Sequence, residues 1–302
     1  MPAVASGGAA VALACLLLGA LSIASSGIFV RLSETGPEAT AFWRGALALP
    51  GVLLWALLAR RREPGGALLP RDAWLVWAGV FFAGDLALWH LSLMRTSIAA
   101  STLEANLAPL FVVLLGWLLW RERPRPRFLL ALALALAGLG LMVLPKLTAP
   151  HRALDGDLLG IGTACFYAAY IIAVARLRTR HPTGVIMLWT TLIFTVLLLP
   201  LTVGERMLPV SAHGWAVLVG LALIAQLFGQ GLIAYALAHL PAAFGAVALY
   251  TQPIASALYA WLLLGERLAP VQIAGAVVVL GAIGLARSAV SAPASRSART
   301  AP

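Results

Sequence analysis

Fifteen residues beginning at Pro109, PLFVVLLGWLLWRER, recur without a gap 144 positions later as PIASALYAWLLLGER beginning at Pro253. The register pairs Pro109 with Pro253, Leu114 with Leu258, Trp117 with Trp261, Glu122 with Glu266, Arg123 with Arg267, Pro126 with Pro270 and Gly140 with Gly284. Two unrelated leucine-rich helices would not also share a proline, a tryptophan, an acid and a glycine in register. The chain is therefore a duplicated unit, and any fold it adopts is built from two like halves.

Composition places both halves in a bilayer. With 62% hydrophobic and 11% charged residues and a mean hydropathy of +0.95, the chain has too little polar surface to cover a soluble domain of 302 residues. Its apolar runs are about 20 residues long, the length a helix needs at ~1.5 Å per residue to cross a hydrocarbon core of about 30 Å. Closed helical hydrogen bonding makes such runs tolerable there. The runs predict helices over 9–30, 39–59, 73–94, 98–119 and 127–145, then over 157–176, 184–204, 213–238, 241–263 and 269–287. The first repeat is expected over 1–148 and the second over 153–288, with 289–302 as a disordered cytoplasmic tail rich in Ser, Ala, Pro and Arg. The first run is read as a retained helix and not a signal peptide: it lacks a basic n-region, and cleavage would leave the first repeat one helix short.

Orientation comes from arginine. With a cytoplasmic N-terminus, the inner segments hold fourteen of the 21 basic residues and the outer segments six, with Arg44 inside a helix. This bias sets both termini inside. Five helices per repeat is an odd number, so the second repeat enters from the opposite side and the repeats are inverted. In agreement, Arg121, Arg125 and Arg127 of the first motif become Gly265, Ala269 and Val271 in the second, as expected of a motif moved to the outer face. The net charge of +10 is thus mostly a topology signal. Spread over short separate loops, the basic residues form no nucleic-acid site.

Polar residues within helices are where function is expected, because a charge near the bilayer centre is costly unless it faces a cavity or a partner. Asp85 is the deepest acid and the leading candidate for proton coupling or for holding a cationic group of a solute. Arg44, His90 and Glu104 fall about four to six residues below the outer surface and are expected to cluster, with an Arg44–Glu104 ion pair as one reading. Gln226 and Gln230 share one helix face, as do Thr163, Tyr167 and Tyr170, and Trp89 lies one turn beyond Asp85. Asn106, Tyr250 and Gln252, beside the repeated prolines, complete the candidate lining. Amides, phenols and an indole suit an amphipathic solute with a ring or an amino-acid-like head.

Motifs for metal, phosphate or nucleophilic chemistry are absent from the sequence, so no cofactor is expected and the chain is read as a non-enzyme. Cys15 and Cys165 sit inside helices as small, inert residues. Trp43, Trp74, Trp77 and Trp215 lie near helix ends as interfacial anchors.

Two copies of five helices, each with a proline in its fourth helix and a Glu-Arg before a Gly-rich fifth, resemble the EamA-type branch of the drug/metabolite transporter superfamily. The resemblance is most specific over Leu88 to Leu141 and Leu232 to Leu285. The stretches Gly84-Asp-Leu-Ala-Leu-Trp-His, Thr96-Ser-Ile-Ala and Ala105-Asn-Leu-Ala-Pro resemble a bacterial subgroup, from which Glu104 departs by replacing an apolar residue. The resemblance implies an all-α polytopic membrane protein, with helices one to four and six to nine around a central cavity and the fifth and tenth outside. It further implies a secondary transporter of the bacterial plasma (inner) membrane, exporting a small metabolite or amino-acid-like solute by alternating access, with protons as candidate coupling ions. The alternative is a membrane-embedded scaffold or sensor that keeps the transporter fold without transport.

Overall fold

The computed structural model describes residues 6–62, 71–95, 101, 104–121, 124–144, 154–265 and 268–291. Among these, nine helical stretches are long and apolar enough to cross a bilayer. They are Gly8–Leu32, Pro37–Ala59, Ala73–Ser92, Pro126–Val143, Leu154–Leu177, Thr183–Thr202, Ala212–Ala236, Ala242–Leu263 and Pro270–Ala289. A shorter apolar helix, Ala108–Trp120, stands where the fourth is expected. The chain is thus a ten-helix polytopic membrane protein, and we number its helices first to tenth in this order. The tenth runs on to Ser291, past its expected end at 287. Glu122, Arg123, Glu266 and Arg267 of the repeated motif, the stretch from Thr96 to Ala99 and the remainder of the tail lie outside the described residues.

Eight helices close into one ring, each packed on the next in the order first, eighth, second, seventh, third, sixth, fourth, ninth and back to the first. Exchanging each helix for its counterpart in the other repeat returns the same ring, so the pairing of helices is itself two-fold. The axis passes through two seams, one between the second and seventh helices and one between the fourth and ninth. Toward lipid the ring shows large apolar side chains such as Val196, Leu118 and Leu263. Toward its interior it turns small and polar ones, among them Thr190, Thr191, Gln226 and Gln230, all fully buried.

The fifth and tenth helices lie outside the ring and pack chiefly on each other. Arg125 donates to the carbonyl of Ala289 (2.8 Å) and Gln272 to that of Met142 (3.0 Å), so the two run antiparallel. Equivalent helices of the two repeats thus point in opposite directions, as inversion requires. They cross at glycine: a Cβ on Gly138 would lie 2.8 Å from the carbonyl oxygen of Gly275, and one on Gly275 2.5 Å from that of Gly138. Ala131 and Ala135 are fully buried along the same line, small residues that let the helices pack closely. Gly140 and Gly284, although in register between the repeats, have no neighbour a Cβ would meet.

Several helices are interrupted where the ring faces inward. The second breaks at Leu47 and Ala48, the fourth at Asn106 and Leu107, and the ninth at Leu249 and Tyr250. Pro50, Pro109 and Pro253 stand two or three residues downstream of these breaks. A proline offers no N–H to the carbonyl four residues back and its ring crowds that carbonyl, which opens the helix just before it. The eighth helix instead widens to a π-helix over Leu221–Gln230, the segment that carries both candidate glutamines.

Candidate functional site

A column of side chains crosses the ring interior. Arg44, just before the break in the second helix, donates through Nε to Oε1 of Gln226 (3.0 Å). The amide of Gln226 in turn donates to the Thr191 hydroxyl (3.2 Å), so two neighbouring helices fix the guanidinium. That group lies 5.7 Å from the centre of the Phe82 ring. Phe82 stacks on Tyr170 (4.7 Å), and Tyr170 on Tyr167 (6.1 Å). Asp85 follows Phe82 by three residues on the third helix, hence on the same face. Its charge acts on Arg44, Tyr167 and Tyr170. Among the described residues Asp85 makes no hydrogen bond or ion pair, and it is only half-buried. A carboxylate in mid-helix with neighbours from both repeats and no protein partner leaves room for a solute group or a proton.

The column separates two small clefts. One is lined by Arg44, Trp89 and His90 together with Ser26, Val30, Thr40, Ala41, Leu86 and Leu221. The other lies between the breaks of the fourth and ninth helices, lined by Asn106, Pro109, Tyr167, Tyr250 and Gln252 with five apolar neighbours. Each has a cavity volume of about 20 Å³, room for a water or two and far below the ~300–1,000 Å³ of a drug-sized site. In this conformation neither holds a whole solute.

The expected outer cluster forms differently. Arg44 and His90 share the first cleft, but Arg44 turns to Gln226 and the field of Asp85, not to Glu104. That partner, Gln226, stands on the expected lining face, within the π segment of the eighth helix. Glu104 is buried with its carboxylate where a Cβ on Gly160 would be, on the sixth helix. The acid that meets His90 is Glu38, with Oε2 3.6 Å from Nδ1 and both residues buried. Sequence reasoning passed over Glu38 because its place next to Pro37 in a first helical turn reads as capping chemistry. Thr163 bonds to the carbonyl of Leu159 in its own helix and is structural.

The seam between the second and seventh helices is tied at both ends by residues the sequence did not single out. At one end, the loop between the first two helices meets the loop between the seventh and eighth. Glu34 accepts from the hydroxyl of Ser211 (2.5 Å) and the backbone N–H of Val210 (2.8 Å) and Ser211 (3.0 Å). Glu205 accepts from the N–H of Ala39 (2.8 Å), Gly36 N–H donates to the Arg206 carbonyl (3.1 Å), and the Trp43 indole donates to that of Met207 (2.7 Å). The Ser211 hydroxyl, aided by the two N–H groups, holds the Glu34 carboxyl below its usual range. At the other end His181 Nε2 donates to Asp72 (3.0 Å), with Arg180 at 3.8 Å and Arg176 over the Trp74 ring at 5.1 Å. Partial burial pushes the Asp72 carboxyl up, but His181, the Trp74 N–H and Arg180 outweigh it and leave it lowered.

The EamA-like transporter family matches residues 10–144 and 154–288, nearly the whole chain in two copies. The pseudopaline exporter CntI of Pseudomonas aeruginosa strain UCBPP-PA14 is 28% identical over 260 residues, which cover 85% of this chain and 88% of the exporter. The protein of the same name from strain PAO1 matches equally. A solved crystal structure superposes with a TM-score of 0.74 at 19% identity, over 91% of this chain and 96% of its own, a likeness of fold.

Proposed function

The chain belongs to the EamA-like transporter family, and from that premise we propose that it exports a small metabolite or amino-acid-like solute by alternating access, driven by an ion or solute gradient. Asp85 carries the reading: a membrane-embedded carboxylate without a protein partner, set among Arg44, Tyr167 and Tyr170 between two clefts. Such a group is costly to keep unless it meets a cargo cation or a proton during the cycle. The similarity to a pseudopaline exporter supports outward movement of a small solute. The arginine bias supports a plasma-membrane protein with both termini in the cytoplasm.

An inverted pair of repeats gives the mechanism its form. Because the halves are alike but opposed, rocking one against the other exchanges an inward-open for an outward-open shape of similar energy, with the site held at their interface. Arg44 and Gln226 hold one wall of that site, while the phenols of the sixth helix hold the other.

The test is transport in proteoliposomes. Pseudopaline and a panel of amino acids serve as probes, measured across pH for wild type and Asp85→Asn. If Asp85 carries the proton, the variant loses its pH dependence. If it is the counter-ion of the cargo, uptake of cationic probes falls tenfold or more, about the factor carried by one desolvated charge pair. Unchanged activity and pH profile in Asp85→Asn would remove Asp85 from the site, and the absence of transport for every probe by wild type would favour a scaffold.

A further inference from the structure

The cleft between the two proline breaks has a chemical bias of its own. Tyr250 is 1% exposed and lines the cleft, yet among the described residues its hydroxyl has no partner. Gln252, in the first turn of the following helical segment, also lines it, and its buried Nε2 has no acceptor among those residues. Tyr167 approaches Gln252 from the sixth helix without closing a bond to that nitrogen. An amide NH₂ can only donate and a phenol donates readily, so the groups left waiting here are donors. Buried polar atoms are paired in nearly all proteins, and a cluster of unpaired ones calls for a ligand. The group that satisfies several donors at once is an acceptor with multiple lone pairs.

We propose that this cleft is the subsite for a carboxylate of the transported solute, held by Tyr250, Gln252 and Tyr167. The proposal rests on the transporter reading and names the class of cargo: a solute with a carboxylate at one end and a cationic group at the other. Among the described residues no acid lines the cleft. Asp85, one turn from Phe82 beside the Phe82–Tyr170–Tyr167 stack, repels a carboxylate and attracts a cation, which sets the order of the two heads. The cationic head lies at Asp85 and neutralises it, while the carboxylate lies beyond Tyr167. Glu104 does not intrude, because it sits at Gly160, seven residues or about 10 Å along the sixth helix from Tyr167. The cleft has about 20 Å³ of room in this conformation, so it must widen as the halves rock to admit the head. Two elements that contribute, the broken fourth and ninth helices, are each other's counterparts, so the subsite lies on the two-fold seam and keeps its lining as the halves rock.

The test needs no known cargo. With Cys15 and Cys165 changed to alanine, a single cysteine at Ala105 is treated with sulfonatoethyl methanethiosulfonate, an anion, and with trimethylammonioethyl methanethiosulfonate, a cation. A cysteine at Val203, 84% exposed in a loop, gives the intrinsic ratio of the two rates. The expected result is a ratio at Ala105 shifted toward the anion by about tenfold relative to Val203, the scale of one charge-assisted hydrogen bond. Tyr250→Phe with Gln252→Leu should abolish the shift. Should Ala105→Cys fail to express, Ala246→Cys on the wall of the ninth helix takes its place. No shift, or a shift toward the cation, overturns the carboxylate subsite, and transport by wild type in the same vesicles shows whether the transporter reading survives it. Labelling by neither reagent overturns the subsite by showing the cleft closed to solutes, and the same transport measurement tells that failure from a failure of transport.

Discussion

The two ends of the seam between the second and seventh helices are counterparts under the inverted repeat, yet they are tied by different chemistry. At the Glu34 end, six hydrogen bonds join the loops, and nearly all involve backbone groups. At the Asp72 end a single His–Asp bond and a long contact from a half-exposed arginine do the same work. The His181 and Asp72 side chains are only 16% and 14% exposed, but a single side-chain bond contributes about 0.5–1.5 kcal/mol net, whereas a set of bonds must break together. The difference teaches that symmetry of fold does not require symmetry of gating: the Asp72 end is the one that loosens first. With the proposed orientation it faces the cytoplasm, where an exporter takes up its cargo.

The largest effect expected is from a lock at the tighter end. Cysteines at Gly36 and Glu205 have their Cβ positions close enough to bridge once the loops give slightly. Oxidation should stop transport and reductant restore it; full transport with the bridge formed would show that this end never opens and break the comparison.

Next comes removal of each acid. Glu34→Gln should raise the labelling rate of a cysteine at Ser26, inside the first cleft, about tenfold by shifting the population open at that end, while Asp72→Asn should change it by no more than about twofold. Equal effects would mean that the two ties are equivalent after all.

The smallest effect is one of pH. Because the Asp72 carboxyl is lowered in the folded protein, its contribution is complete above its unfolded value near 4 and is lost as pH falls through the lowered native value. Melting temperatures of wild type and Asp72→Asn should therefore differ by a few degrees above about pH 5 and converge as pH falls below about 4. A gap that persists unchanged down to about pH 2 would show that the Asp72 carboxylate does not carry the tie.

Helix number, order and inversion were legible in the sequence, since a bilayer imposes length and apolarity on every span and the repeat at Pro109 and Pro253 carries the two-fold relation. The candidate site was legible in part. Asp85, Arg44, Tyr167, Tyr170 and Gln226 do converge, because charge and amide are affordable in lipid only where a bundle turns them inward. Glu38 was not legible because its place in a first helical turn reads as capping, and the ties at Glu34 and Asp72 were not because their partners lie more than a hundred residues away in loops, where hydropathy carries no signal. The pairing of Arg44 with Gln226 escaped because the two lie on different helices, 182 residues apart, and hydropathy does not say which inward-facing groups meet. The breaks did leave a signal, in Pro50, Pro109 and Pro253.

The glycine crossing of the fifth and tenth helices bears on descent. An antiparallel contact between equivalent helices is what two separate half-length chains, inserted in opposite orientations, would make as a pair. In such an ancestor each position faced its mirror position, so any substitution near the crossing altered the contact twice. Joining the halves released that constraint. Gly138 now has Ala282 as its counterpart and Gly275 has Ala131, so one glycine from each unlike pair makes the contact and its twin is free to carry a methyl group. Half-length relatives of this chain that pair in this way must keep a small residue at both positions.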